Sequence, residues 1–238
     1  MIKLLILIQT FGYCLFSAVD TCNVNKGLPS IVLAKNKTFT VSTAFFHSVG
    51  GKPIEERTIL NLKYDDSCLR INFECFDDPW AGFTTLTQES RTLSTQEVFE
   101  IFISNGAVAP EQYLEVQVNP NNALFLAKIS NRYKTDKRYN YERLNPRDAG
   151  VLHAVSRDIE NKKWQGTIHL PLQLLKYPNE ALEDTFRLNM FRIILNKKPE
   201  SEIWSCTPQN STFACWSATL TAVPQFHVPE KFGYLIFK

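Results

Sequence analysis

Acid/base work at a glycosidic bond needs two carboxyls that face each other, and the sequence offers two adjacent pairs, Asp65-Asp66 and Asp77-Asp78. Each pair sits where the chain turns, in "YDDSC" and "FDDP", so turn chemistry accounts for both. The four histidines are scattered over separate segments, and no GxSxG, HExxH, P-loop or dinucleotide fingerprint occurs. Catalysis is not expected. What stands out is Glu100, a carboxylate inside the apolar run "EVFEIFIS". Burying it unpaired is costly, so it is expected either to face a polar cleft or to form an internal ion pair with Arg187 or Arg192. Asp77 and Asp78, with loop carbonyls, leave calcium open; no other cofactor is expected.

The elements that must position Glu100 read as strands. In "TILNLKY" Leu60, Leu62 and Tyr64 alternate with polar residues, and after the Asp65-Asp66-Ser67 turn "CLRINFEC" opposes Leu69, Ile71 and Phe73 to Arg70, Asn72 and Glu74, which predicts a hairpin. A second hairpin is "YLEVQVNPNNALFLAKI", turning at Asn119-Pro120-Asn121-Asn122, and a third runs through "VLHAVSRDIENKKWQGTIHL". Further strands are "EVFEIFIS", "FRLNMFRIIL" and the closing "FGYLIF", which must be tied into a sheet because it is too apolar to fray. "PLQLLKY", Pro171 to Tyr177, predicts a short helix with proline at its first position. Period-two alternation implies one buried and one wet face, hence antiparallel sheets, and so many strands predict an all-β sandwich with one short helix. The stretches from about Gly82 to Gln96 and from about Asn131 to Asp148 predict long loops of functional interest. Trp164, Trp216 and Met190 fall in strand patterns and are expected in the core.

With 238 residues, 44% hydrophobic, the chain is an ordinary globular one, and its formal charge of +2 gives no electrostatic reason to expect nucleic acid or an anionic membrane. The opening "MIKLLILIQTFGYCLFSA" predicts a secretory signal peptide over residues 1–18, followed by one domain over 19–238 that is secreted and extracellular. The apolar run is shorter than the roughly 20 residues a membrane span needs. Asn36-Lys37-Thr38 and Asn210-Ser211-Thr212 are N-glycosylation patterns that agree with this route. Of six cysteines, Cys14 lies in the signal segment. Cys206 and Cys215 flank a short loop and are expected to form a disulfide. Cys68 and Cys75 stand at opposite ends of one strand, too far apart at about 3.3 Å per residue to bridge, so one of them is expected to meet Cys22.

The ordered set "LRINFECFDDP", "EVFEIFI", "YLEVQVNPN", "WQGTIHLPL", "FRLNMFRI", "CWSAT" and "FHVPEKFGYLIF", from Thr58 to Phe237, resembles the family 9 carbohydrate-binding modules and their DOMON-like sandwich relatives. That resemblance implies a secreted, non-catalytic, lectin-like module that binds an oligo- or polysaccharide and is sometimes accessory to glycoside hydrolysis. In those modules the glutamate of a V-E-x-F strand hydrogen-bonds the sugar; the matching residue is Glu100, with Gln117 aligned to a second polar ligand and Glu115 on the same face. Two tryptophans sandwich the sugar in the family, and here Ser94 and Phe226 stand in their places. Trp80 is a substitute platform, and Arg192 completes the expected carbohydrate-binding set. The DOMON relatives imply a second reading, haem or redox binding through Met190 and a histidine, and an extracellular protein-interaction role is the alternative for a sandwich that binds no glycan.

Overall fold

The computed structural model describes residues 27–42, 44–134 and 138–238. The expected signal peptide, Cys14 and Cys22 lie outside the described residues. Among the described residues the strands are β1 (Ser30–Leu33), β2 (Phe39–Val41), β3 (Phe46–His47), β4 (Thr58–Tyr64), β5 (Cys68–Cys75), β6 (Val98–Asn105) and β7 (Gln112–Val118), then β8 (Leu124–Ser130), β9 (Asn140–Arg143), β10 (Leu152–Asp158), β11 (Lys163–Pro171), β12 (Thr185–Leu195), β13 (Ser211–Cys215) and β14 (Gly233–Phe237). The larger sheet has the order β1-β14-β12-β6-β7-β8-β9, with β13 and β3 branching from β12; the smaller has β10-β11-β5-β4-β2. The two form a sandwich, all pairings antiparallel except β1 with β14. Among the described residues, no helix is long and apolar enough to cross a membrane.

The three expected hairpins are β4-β5, β7-β8 and β10-β11. The terminal strand is held between β1 and β12. Its Gly233 is required there, because a Cβ would meet Pro29 O at 2.5 Å and the Trp216 ring at 2.6 Å. The short helix α1 is Leu172–Leu175, and Pro171 precedes it as the capping residue.

Leu60, Leu62, Ile71 and Phe73 of the smaller sheet meet Phe99, Ile101, Val116, Leu188 and Met190 of the larger in the main core, which also takes in Trp164 and Trp216. The outer face of the larger sheet is not wet as the alternation predicted. Phe102, Tyr113, Phe125, Phe191 and Ile193 project from that face into a second apolar cluster, closed over by Leu93, Phe226 and Phe232 from the loops. Hence every residue of β6 is buried, whichever way it points.

The expected Cys206–Cys215 bond is absent, and both are free thiols, as are Cys68 and Cys75. Cys206 is fixed near Ser211, at the start of β13, by its backbone N–H to Thr95 O at 2.7 Å. Cys215 is at the other end of that strand. Four steps of about 3.3 Å separate Ser211 from Cys215 by roughly 13 Å, so a cysteine held beside Ser211 is kept from Cys215 at the far end of the strand. Burial pushes Cys75, Cys206 and Cys215 up to about 12.

Candidate functional site

On the outer face of the larger sheet, Glu100 of β6 pairs in register with Gln117 of β7, and Glu115 lies two residues from Gln117 on the same face. The three form the floor of a cleft of about 260 Å³. Gln117 Nε2 donates to Glu115 Oε1. Glu100 Oε1 and Gln117 Oε1 have no hydrogen-bond partner.

Three loops build the walls. The first carries a short 3-10 turn, Arg91–Thr95, whose start is capped by Ser90 Oγ accepting from Thr92 N at 3.2 Å. It is fastened to the sheet by Asn119 Nδ2 donating to Leu86 O at 2.8 Å and Asn121 Nδ2 to Thr84 O at 2.7 Å, which delivers Arg91 and Ser94 to the cleft. The second supplies Tyr139, whose hydroxyl accepts from Arg91 Nη2 at 2.6 Å. The third supplies Phe226 and His227. Arg187 holds that third loop, donating through Nε to Phe232 O at 2.9 Å and through Nη2 to Glu230 O at 3.1 Å.

Phe226 lines the cleft beside Phe213, with one ring face stacked on Phe191 at 4.3 Å. Tyr139 stacks on the His227 ring at 3.9 Å. Tyr113 Oη accepts from Asn131 Nδ2 at 3.2 Å and lies 2.7 Å from His227 Nδ1. On its other side the ring brings His227 Nε2 to 3.9 Å from Glu115 Oε2. Burial, and then Arg91, push His227 down to about 3, so the ring is neutral. Burial pushes Glu115 up to about 7 against the opposing Gln117 hydrogen bond and Arg91. Burial, and then the Glu115 charge, raise Glu100 well above the carboxylate range.

Of the residues expected from sequence, the structure gathers Glu100, Glu115, Gln117, Ser94 and Phe226 around one cleft. Arg192 is not brought there. It is opposite Phe99, so it points between the sheets, fully buried, with Nη2 to Asp78 Oδ2 at 3.1 Å and Nη1 to Thr58 Oγ1 at 3.0 Å. Trp80 lies away from the cleft, tilted against Phe83 at 5.9 Å. Neither arginine proposed as an ion-pair partner reaches Glu100. Met190 is in the main core between the sheets, whereas His227 lines the cleft on the outer face of the larger sheet. Asp77 takes a turn conformation at φ 58°, while Asp78 Oδ2 also accepts from Trp164 Nε1 at 2.9 Å. No cluster of three or more His, Cys, Asp or Glu among the described residues could hold a metal ion. Sequence reasoning missed Arg91, Tyr139 and His227; the tyrosine- and arginine-rich stretch after Asn131 and the histidine beside Phe226 were the available signals.

No family model matches the chain. It is 27% identical over 190 residues, 78% of this chain and 80% of the relative, to a protein of Arthroderma benhamiae described as an extracellular protein. Among solved structures, a candidate carbohydrate-binding protein from Bacteroides uniformis superposes with a TM-score of 0.59 at 12% identity, covering 89% of this chain and 100% of that one. A family 9 carbohydrate-binding module from Caldicellulosiruptor kristjanssonii in complex with glucose gives a TM-score of 0.49 at 12% identity, over 88% of this chain and 96% of that one. The chain is thus a two-sheet sandwich similar in fold to the Bacteroides protein, as the ordered strand motifs led us to expect.

Proposed function

We propose that this protein is a secreted, non-catalytic carbohydrate-binding protein whose ligand enters the cleft above Glu100, Glu115 and Gln117. The observation that carries this reading is the pair of buried, unpartnered acceptors at the cleft floor, Glu100 Oε1 and Gln117 Oε1. A buried acceptor without a donor costs free energy, and a donor-rich ligand removes that cost. Sugar hydroxyls are such donors, while Phe226 and Phe213 offer contact to the apolar face of a pyranose ring. The fold likeness to a candidate carbohydrate-binding protein and the relative described as extracellular agree with this reading, as does the apolar N-terminal run.

A glycan array probed with the secreted protein, followed by calorimetry, tests the proposal. Glu100→Gln is expected to weaken the best glycan by about tenfold, since a buried group left without its hydrogen-bond partner costs about 1–3 kcal/mol. Silence across plant, microbial and animal glycans, or a Glu100→Gln variant that binds normally, would refute the site.

A further inference from the structure

The charges around the cleft do not balance. Arg91 reaches over Tyr139 and Tyr141, its guanidinium carbon 5.2 and 4.8 Å from their ring centroids, and its field acts on Glu115 and on neutral His227. Glu100 has no such neighbour. Arg192 is committed to Asp78 and Arg187 to the carbonyls of the third loop. The surroundings of Glu100 act on its ionisation only through burial and the second carboxyl, and both oppose its charge. Its Oε1 and the oxygen of its register partner Gln117 are left without donors. Among the described residues, then, the floor holds a buried acid that lacks a cation and two orphaned acceptors on adjoining strands.

Resting on the carbohydrate reading of this cleft, we infer that its ligand is a sugar with a free amine, whose ammonium sits between Glu100 and Gln117. An ammonium has three donors and no acceptor, which suits a floor of orphaned oxygens better than a hydroxyl, which must also be given a donor. Its charge meets the one carboxyl that Arg91 does not serve. An acidic sugar is disfavoured on this floor, because its carboxylate would join two buried carboxyls, and among the described residues only Arg91 in the wall is placed to receive it. The apolar wall of Phe226 and Phe213 takes the ring, so a bare amine gains only part of the contact.

Competition calorimetry on the secreted full chain at about pH 6.5, where an amine of this kind is largely protonated, separates these ideas. The probes are glucosamine, glucose, N-acetylglucosamine, galacturonic acid and ethanolamine. Glucosamine is expected to bind about tenfold or more tighter than glucose and N-acetylglucosamine, with galacturonic acid weakest and ethanolamine unable to compete. Glu100→Gln should reduce glucosamine affinity about tenfold more than glucose affinity; the wild-type ranking decides the matter even if that variant does not fold. Equal binding of glucose and glucosamine overturns the inference and leaves the carbohydrate cleft standing. Ethanolamine competing as well as glucosamine overturns it too. Binding of none of the sugars removes the cleft reading along with it.

Discussion

Glu115 and His227 face each other across 3.9 Å, and the fold treats them oppositely. The Glu115 carboxyl rises from 4.5 to about 7, so the stability it contributes is intact below about 4.5 and is lost as pH climbs through 7. His227 falls from 6.5 to about 3, so its contribution is intact above 6.5 and is lost as pH drops toward 3. Between about 4.5 and 6.5 the slopes of Glu115 and His227 oppose each other, whereas above 6.5 the histidine no longer offsets Glu115, and Glu100 and Glu97, also raised by burial, act in the same direction as Glu115. Glu115→Gln should therefore flatten the decline above about pH 6.5 and stabilise the protein at about pH 8 by up to about 3 kcal/mol. Urea unfolding across that range measures it; a variant less stable than wild type at pH 8 contradicts a carboxyl forced to ionise while buried. Glu100 was legible in the sequence because a charge within an apolar strand is conspicuous. Arg192 was misplaced because its face depends on the β6-β12 register, which puts Phe191, not Arg192, opposite Glu100. Single-strand alternation carries no information about that register.

The strands and their hairpins were readable from period two, but the loops that finish the site have no period. Arg91, Tyr139 and His227 each come from a different loop, and they meet only because the loops are fastened to the sheet. Arg187 is the fastener for the third, with cation–π contact to Tyr234 at 4.8 Å beside its hydrogen bonds to Phe232 and Glu230 carbonyls. Lysine keeps the charge but not the planar fork that spans several acceptors. Arg187→Lys is expected to weaken sugar binding about five- to tenfold without removing any residue that lines the cleft, because Phe226 and His227 lose their fixed position, and to cost about 1–3 kcal/mol in stability. Calorimetry and thermal unfolding report the two effects separately; unchanged binding would mean that the loop holds its shape without Arg187. The same logic separates the two glycosylation patterns. Asn36 is exposed in a turn, whereas Asn210 Nδ2 donates to Ser205 O at 3.0 Å and its Oδ1 accepts from Thr207 N at 2.7 Å. Peptide mapping of secreted protein should find Asn36 occupied and Asn210 largely bare, and the reverse pattern would contradict the Asn210 network.

At the scale of the whole molecule, the two sheets are joined by more than apolar packing. Arg192 leaves β12 of the larger sheet and ends at the smaller one, on Asp78 just past β5 and on Thr58 at the start of β4. Glu97 completes the cluster: its Oε1 accepts from Leu195 N at 2.9 Å, and burial together with the neighbouring Asp78 holds its carboxyl well above the usual range. Turn propensity explained Asp77 and concealed Asp78, since nothing within "FDDP" says that the second aspartate turns inward toward a residue more than a hundred positions away. Removing only one partner leaves a buried charge without compensation, which costs about 3–5 kcal/mol, whereas replacing both by apolar residues is close to neutral. Arg192→Leu should therefore destabilise the protein by about that amount, and adding Asp78→Leu should recover a large part of the loss even though Trp164 Nε1 then lacks its acceptor. Chemical denaturation of the two variants gives the coupling directly. An Arg192→Leu variant within about 1 kcal/mol of wild type would show that the inter-sheet ion pair contributes little beyond its packing. Sugar affinity of the folded fraction should be unchanged in the double variant, because Arg192 points between the sheets, away from the face that carries the cleft.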